Sequence, residues 1–144
     1  MAATTDKVMR CTPEDVWNVL ADGWLYGLWV VGASRIRDVD ESWPSAGSRI
    51  HHSVGSWPLL IDDTTSVVEA DPTRSLRLRA RAWPGGEASV LIELEPAGSG
   101  CRVAITEDAV AGPGRLVPHP VRAALLHPRN SESLRRLSYL AEGR

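Results

Sequence analysis

Two adjacent histidines in the middle of the sequence are candidates for proton transfer. His51 and His52 lie in the middle of a predicted strand, so one ring faces each side of the sheet. His52 shares its parity with Ile50 and Val54, which places His52 inward and His51 outward. A neutral imidazole has a pKa close to neutral pH, which makes His52 a candidate general base. The simpler interpretation is a core histidine bonded to a neighbouring side chain.

Carboxylates that could partner this histidine occur on two other strands. Asp62 and Asp63 begin a polar run that continues through Ser66, and a regular strand must turn one of the two acids inward. A buried acid needs a partner, and His52 on the neighbouring strand could supply one. Glu107 shares the inward parity of its strand, where it could bind the C-terminal helix or titrate with a raised pKa. The catalytic candidates are His52, Asp62, Asp63 and Glu107.

Other catalytic signatures are missing from the sequence. It has no glycine-rich phosphate loop, Cys-x-x-Cys, His-Glu-x-x-His or Gly-x-Ser-x-Gly motif. We therefore expect neither a metal nor a cofactor. Cys11 and Cys101 are too few for a metal cluster or a disulfide scaffold, so we expect free thiols.

The clearest structural pattern is a hairpin between Gly86 and Val110. Apolar and polar residues alternate along both halves, and Pro96–Gly100 has the proline and glycines of a short connection. The predicted inward residues of this hairpin are Ala88, Val90, Ile92, Leu94, Cys101, Val103, Ile105, Glu107 and Ala109.

Helical signals occur near both ends of the chain. Thr12 is predicted to cap a first helix that has Pro13 at its first position and extends to about Ala21. A second short helix is predicted over Trp24–Val31, with Leu25, Leu28 and Trp29 on one side. The longest helix is predicted over Pro128–Glu142, with Leu134, Leu137 and Ala141 in one apolar line.

The remaining segments are predicted to be strands and one loop. Because no helix interrupts the central strands, they should pair as an antiparallel meander. The strands are Thr4–Cys11, Ser34–Glu41, Ser48–Gly55, Leu59–Ala70 and Leu76–Trp83, in addition to the hairpin. The loop before the last helix is expected to pack Leu116, Val117, Val121, Leu125 and Leu126. His119, His127 and Arg129 lie in this loop and at the start of the last helix, and they are expected to be ordinary loop residues.

Composition narrows the possible classes of protein. A chain of 144 residues fits a single domain over 1–144 with a real core. With 16 Lys and Arg against 18 Asp and Glu, the net charge of −2 argues against a nucleic-acid partner. No apolar run approaches the ~18 residues of a membrane helix. We therefore expect a cytoplasmic protein without integral membrane contact, either a monomer or a homodimer.

The order of elements and several short motifs resemble a known family. The motifs are Thr12–Trp17, Val30–Gly32, Ala46–Arg49, Val68–Pro72 and the Gly100–Val110 strand. Together they are similar to the polyketide cyclase/dehydrase and lipid-transport family, of the SRPBCC or START-like helix-grip superfamily. The resemblance implies an α+β helix-grip fold, in which a curved antiparallel sheet of about seven strands surrounds a long C-terminal helix and two short helices follow the first strand. It also implies that the first strand pairs with the last, which would bring Cys11 near Cys101.

The same resemblance implies a cavity between the sheet and the C-terminal helix. The leading hypothesis is binding of a hydrophobic or aromatic small molecule. The alternatives are a cyclase or aromatase-type enzyme with a His–acid pair, and a protein-interaction module. The residues expected to contact a ligand are Trp29, His52, Trp57, Val90, Ile92, Val103, Ile105, Glu107 and Leu134.

Overall fold

The computed structural model describes residues 3–31, 33–54, 61–82, 86–111, 116 and 118–143. It contains seven strands, three α-helices and one 3₁₀ turn in these ranges. In chain order they are β1 (Ala3–Met9), α1 (Pro13–Leu20), the 3₁₀ turn (Gly23–Leu25), α2 (Tyr26–Trp29), β2 (Ala33–Val39), β3 (Arg49–Val54), β4 (Ile61–Asp71), β5 (Ser75–Ala82), β6 (Gly86–Ala97), β7 (Gly100–Ala111) and α3 (His119–Glu142).

The strands form one antiparallel sheet in the order β1-β7-β6-β5-β4-β3-β2. The predicted meander is confirmed, and β1 pairs with β7 as the helix-grip order requires. Register shifts occur between β2 and β3, between β4 and β5, and between β6 and β7. Each such bulge bends its strand and increases the local twist, which favours a curved sheet. The α+β fold class is therefore confirmed.

The β6–β7 hairpin is tighter than predicted. Ala97 pairs with Gly100, so only Gly98 and Ser99 form the connection. Gly98 has a φ of 59°, a conformation that glycine adopts without strain. Pro96 stays in the strand opposite Cys101, which extends the ladder by two residues beyond the predicted boundary.

The first helix forms as its capping signal predicts. The Thr12 hydroxyl accepts a hydrogen bond from the backbone N–H of Asp15, and the Asp15 carboxylate accepts one from the N–H of Thr12, both at 3.1 Å. The second helix is shorter than expected, since α2 spans only Tyr26–Trp29. Leu28, predicted to lie on the apolar side of this helix, is 58% exposed, whereas Trp29 belongs to the buried core and Leu25 packs against it.

The line of apolar residues on α3 forms part of the core. Leu134, Leu137 and Ala141 are at most 1% exposed, and they belong to the same buried cluster as Ile92 and Val103. The residues of α3 recur at helical spacing and the sheet residues alternate, so each set lies on one face of its own element. The two apolar faces pack against each other. The predicted packing of α3 on the sheet is confirmed. Of the helices in the described part of the chain, none combines the length and apolar content needed to cross a bilayer.

The start of α3 was predicted wrongly. The helix begins at His119, and Pro128 lies inside it. Pro120 occupies the first turn, where the missing N–H costs nothing. Pro128 has no N–H to donate to the carbonyl of the residue four positions earlier. Because Pro128 is exposed, that carbonyl can bond water instead.

The apolar residues of this segment are also not packed as expected. Leu116 is 85% exposed and Leu125 is 68% exposed, while Val121 is half exposed and Leu126 is half-buried. Val117 lies outside the described residues. Among the described residues of α3, members of the apolar core cluster begin at Leu134.

Candidate functional site

The face of the sheet turned toward α3, called the inner face here, is unevenly covered. Across β5 and β6, Leu76 pairs with Ile92, Leu78 with Val90, and Ala80 with Ala88. Leu76, Leu78 and Ile92 are at most 1% exposed. Ala80, Ala88 and Val90 are only half-buried. One end of the inner face is therefore closed core, and the other end is apolar surface that is only partly covered.

A buried polar cluster flanks this partly covered end. His52 of β3 is 2% exposed, and its Nε2 lies 2.7 Å from Oγ1 of Thr65 on β4. The hydroxyl of Tyr26 on α2 lies 3.3 Å from the same Thr65 oxygen. The Tyr26 and His52 rings stack with centroids 5.7 Å apart. These contacts form a continuous Tyr26–Thr65–His52 cluster.

The expected His–acid hydrogen bond is not formed by Asp63. Asp63 is the register partner of His52, so both lie on the inner face. Its Oδ1 instead accepts a hydrogen bond from the N–H of Thr64 at 2.8 Å and lies 3.8 Å from Nε of Arg81. Short aspartate side chains often bond nearby backbone in this way, which competes with longer-range partners. The side chain of Asp62 lies outside the described residues.

Burial controls the protonation of this cluster. Desolvation lowers the pKa of His52, and Asp63 opposes that shift with a smaller effect. Desolvation raises the pKa of Tyr26, so the phenol keeps its proton at neutral pH. A neutral His52 has one ring N–H, and the tautomer depends on which partner donates. At neutral pH the cluster is therefore a chain of three uncharged hydrogen-bonding groups.

A second polar contact fastens α3 to the sheet beside the same surface. Glu107 is 8% exposed and pairs in register with Val90. Its carboxylate accepts a hydrogen bond from the Arg129 guanidinium. One strand further out, Oγ1 of Thr5 lies 3.0 Å from Nδ1 of His127. The sequence interpretation of Arg129 and His127 as ordinary loop residues is wrong, because both lie on α3 and tie it to the sheet.

The sequence did not single out Tyr26, Thr65 or Asn130. Asn130 is 4% exposed and precedes Leu134 by one turn on the buried side of α3. Thr65 had a usable signal, since it shares the parity of Asp63 and pairs with inward Ile50. For Asn130 the signal was an amide in line with the apolar positions Leu134, Leu137 and Ala141.

The predicted ligand contacts divide into two groups. Trp29, Ile92, Val103, Ile105 and Leu134 are all buried residues of the core cluster. Val90 is half-buried and belongs to the partly covered surface. His52 and Glu107 are buried and border that surface. Trp57 lies outside the described residues.

A separate surface groove of about 400 Å³ lies away from the inner face. Trp24 and Trp43 are among its lining residues, but Trp43 donates its ring N–H to the carbonyl of Leu20 at 3.0 Å. Asp40 of the groove contacts both Arg49 and His51. Trp43 and Asp40 therefore already have polar partners, whereas Asn18 and Glu41 of the groove are exposed.

A single sheet packed on one long C-terminal helix, with a polar cluster beside an incompletely covered inner face, defines a helix-grip protein. The family model described as polyketide cyclase / dehydrase and lipid transport matches residues 1–142, and the chain belongs to this family. No curated protein is similar enough in sequence to count as a match.

Solved structures show the same fold at low sequence identity. Protein NE0264 from Nitrosomonas europaea is 17% identical, with a TM-score of 0.77 over 99% of this chain and 95% of that one. Ara h 8.0201 is 10% identical, with a TM-score of 0.74 over 100% and 99% of the two chains. The di-domain ARO/CYC StfQ from the steffimycin biosynthetic pathway is 15% identical, with a TM-score of 0.73 over 99% of this chain and 51% of StfQ.

Proposed function

We propose that this protein binds a hydrophobic or aromatic small molecule between the inner face of the sheet and α3. The observation that carries the proposal is the incomplete cover of Ala80, Ala88 and Val90, which share a face with fully buried neighbours. An apolar surface beside a few convergent polar groups is the usual composition of a small-molecule site. Family membership supports the same class of function.

A neutral solvatochromic dye such as Nile red tests this binding directly. The fluorescence of the dye should rise on addition of the protein and saturate at one dye per chain. Val90→Trp adds a ring on the inner face and should weaken binding about tenfold or more. Leu91→Trp is the matched control, because Leu91 is the next residue, is equally half-buried and faces the other side of the sheet. Saturable binding that is unchanged in Val90→Trp would place the ligand elsewhere.

A cyclase-type enzyme is the second candidate, and the Tyr26–Thr65–His52 cluster favours it. A neutral imidazole can act as a general base, and its hydrogen bond to Thr65, which also contacts Tyr26, would hold the ring in place. In this candidate, His52→Gln should keep dye binding and lower turnover of a polyketide-like substrate by roughly two to four orders of magnitude. Equal turnover by the wild type and His52→Gln would remove His52 from any catalytic role.

A further inference from the structure

The surface groove beside α1 and the 3₁₀ turn, called the acidic groove here, is separate from the proposed ligand site. Its lining includes Asp22, Trp24, Asp40, Glu41 and Trp43, and none of the described residues that line it is a lysine or an arginine. Its volume of about 400 Å³ is typical of a small-molecule site. The groove therefore combines room for a small ligand with an excess of negative charge.

Close packing forms the floor of the acidic groove. Gly23 of the 3₁₀ turn lies directly against the end of β2, since a Cβ atom on this residue would come within 2.6 Å of Cγ1 of Val39. Beneath them, Trp43 is 8% exposed and is fixed by its hydrogen bond to the carbonyl of Leu20. These contacts hold the turn against the sheet, so the groove is preformed and a ligand need not order it.

Trp24 gives the groove an aromatic surface that the core does not use. It is 56% exposed, whereas Trp17, Trp29 and Trp43 are at most 9% exposed. Within the described ranges, the cation that lies over an aromatic ring is Arg135 over Tyr139, so no arginine or lysine of these ranges covers the Trp24 ring. The face of an indole attracts cations more strongly than any other aromatic side chain. Trp24 can therefore accept a cation from outside the chain.

Two of the carboxylates in the groove keep an uncompensated charge. Asp40 contacts basic side chains, but Asp22 and Glu41 are exposed and have no ion-pair partner in the part of the chain that the structure describes. The Asp22 carboxylate accepts a hydrogen bond from the N–H of Trp24 at 3.2 Å, which leaves its charge in place. No three His, Cys, Asp or Glu side chains of the described residues are close enough together to hold a metal ion. Charges spread along a groove suit an organic cation better than a metal ion.

We propose that the acidic groove is a second binding site, which takes a small organic ammonium ion with an apolar or aromatic body. The body lies on the exposed ring of Trp24, and the carboxylates of Asp22 and Glu41 supply the counter-charge. This inference does not rest on ligand binding at the inner face, because the two sites use different residues. Contacts at exposed positions are individually weak, so the affinity depends on the ring and the charges together.

A matched pair of ligands tests the selection for positive charge. Benzylammonium and benzyl alcohol have nearly the same shape, but only the first is charged at neutral pH. In NMR titrations of the full chain, the backbone amide of Gly23 and the indole N–H of Trp24 report on the groove. The affinity for benzylammonium should be at least about fivefold higher than for the alcohol, and salt should weaken it. Equal affinities, or no saturable shift at these two groups, would overturn the inference.

Two variants test the residues that carry the proposal. Glu41→Gln should lower the affinity for benzylammonium about two- to fivefold and leave that for benzyl alcohol unchanged. Glu93→Gln is the control, because Glu93 is an exposed residue of β6 that does not line the groove. Trp24→Leu should also lower the affinity for benzylammonium about two- to fivefold, with Gly23 as the reporter. Trp24 and Glu41 are exposed, so both variants should fold. An affinity unchanged in either variant would overturn the inference.

The Val90→Trp variant separates this site from the inner face. It adds a ring to the inner face and leaves the acidic groove intact, so the benzylammonium shifts of Gly23 and Trp24 should match those of the wild type. Loss of these shifts in Val90→Trp would place the amine at the inner face and overturn the inference. Failure of Nile red to bind would overturn the function proposed for the inner face and leave the acidic groove as a site.

Discussion

Nε2 of His52 lies 2.7 Å from Oγ1 of Thr65, although Asp63 is its direct partner across the strand pair. A buried neutral imidazole bonded to a hydroxyl avoids the desolvation cost of a buried ion pair. The same hydroxyl also contacts Tyr26, so one threonine joins a helix to two strands. The polar interior of this protein is therefore organised around Thr65 more than around a carboxylate.

Thr65→Val should destabilise the protein by about 1–3 kcal/mol. Valine has a similar shape but no hydroxyl, so Nε2 of His52 would be left buried without a partner. The free energy of unfolding is measured by urea denaturation. Thr64→Val is the control, because Thr64 faces the other side of the same strand and is half-buried. Equal stabilities of the two variants would contradict the central role of Thr65.

The stability of the protein should depend on the protonation of His52. Burial lowers the pKa of His52 below 6.5, so between these values the unfolded chain binds a proton that the folded chain lacks. This contribution to stability is fully present above pH 6.5 and is lost as the pH falls from there through the folded-state pKa. The slope from this group is at most about 1.4 kcal/mol per pH unit. His52→Gln should flatten the measured stability profile in this window, and a profile parallel to wild type would argue against the shift.

Leu137→Asp should cost about 4 kcal/mol or more of folding free energy. Leu137 is 0% exposed in the core, and the new carboxylate would be buried without a partner. Leu125→Asp provides the same substitution on the same helix at a residue that is 68% exposed. Its melting temperature should stay close to that of the wild type. A melting curve unchanged by Leu137→Asp would refute the packing of α3 on the sheet.

The two cysteines should react slowly with alkylating reagents. Both are free and buried, and burial raises the pKa of Cys11 from 9.0 to about 11, with a smaller contribution from Cys101. Since only the thiolate reacts, alkylation of Cys11 by iodoacetamide at pH 8 should be about a hundredfold slower than for an ordinary thiol. Mass spectrometry of the native and unfolded protein measures both rates. Equal rates would contradict the burial of Cys11.

Proximity of the cysteines can be tested separately by oxidation. Cys101 pairs in register with Met9, two residues before Cys11. Oxidation in air should remove two thiols in the wild type without a change in monomer mass beyond two hydrogens. Cys11→Ser and Cys101→Ser should each keep their single thiol as monomers. Two thiols remaining in the oxidised wild type would count against proximity.

Local patterns in the sequence determined the elements of this fold and the facing of most side chains. Strand alternation placed His52 and Glu107 inward, and the Thr12 cap located the start of α1, because both signals depend on residues a few positions apart. The pairing of β1 with β7 came from the resemblance of the element order, since no local pattern specifies a contact between the two ends of the chain.

Only the tertiary structure decided the partners within the interior. The sequence left open which of Asp62 and Asp63 faces inward, and the register of β3 with β4 places Asp63 opposite His52. The bond of His52 to Thr65 depends on side-chain geometry across two strands and α2. The start of α3 was decided in the same way. A proline signals a possible helix start equally well at Pro120 and Pro128, and the helix extends over both while Arg129 and His127 bind distant residues of the sheet. These contacts join residues from 13 to 122 positions apart, so no periodicity within a segment encodes them.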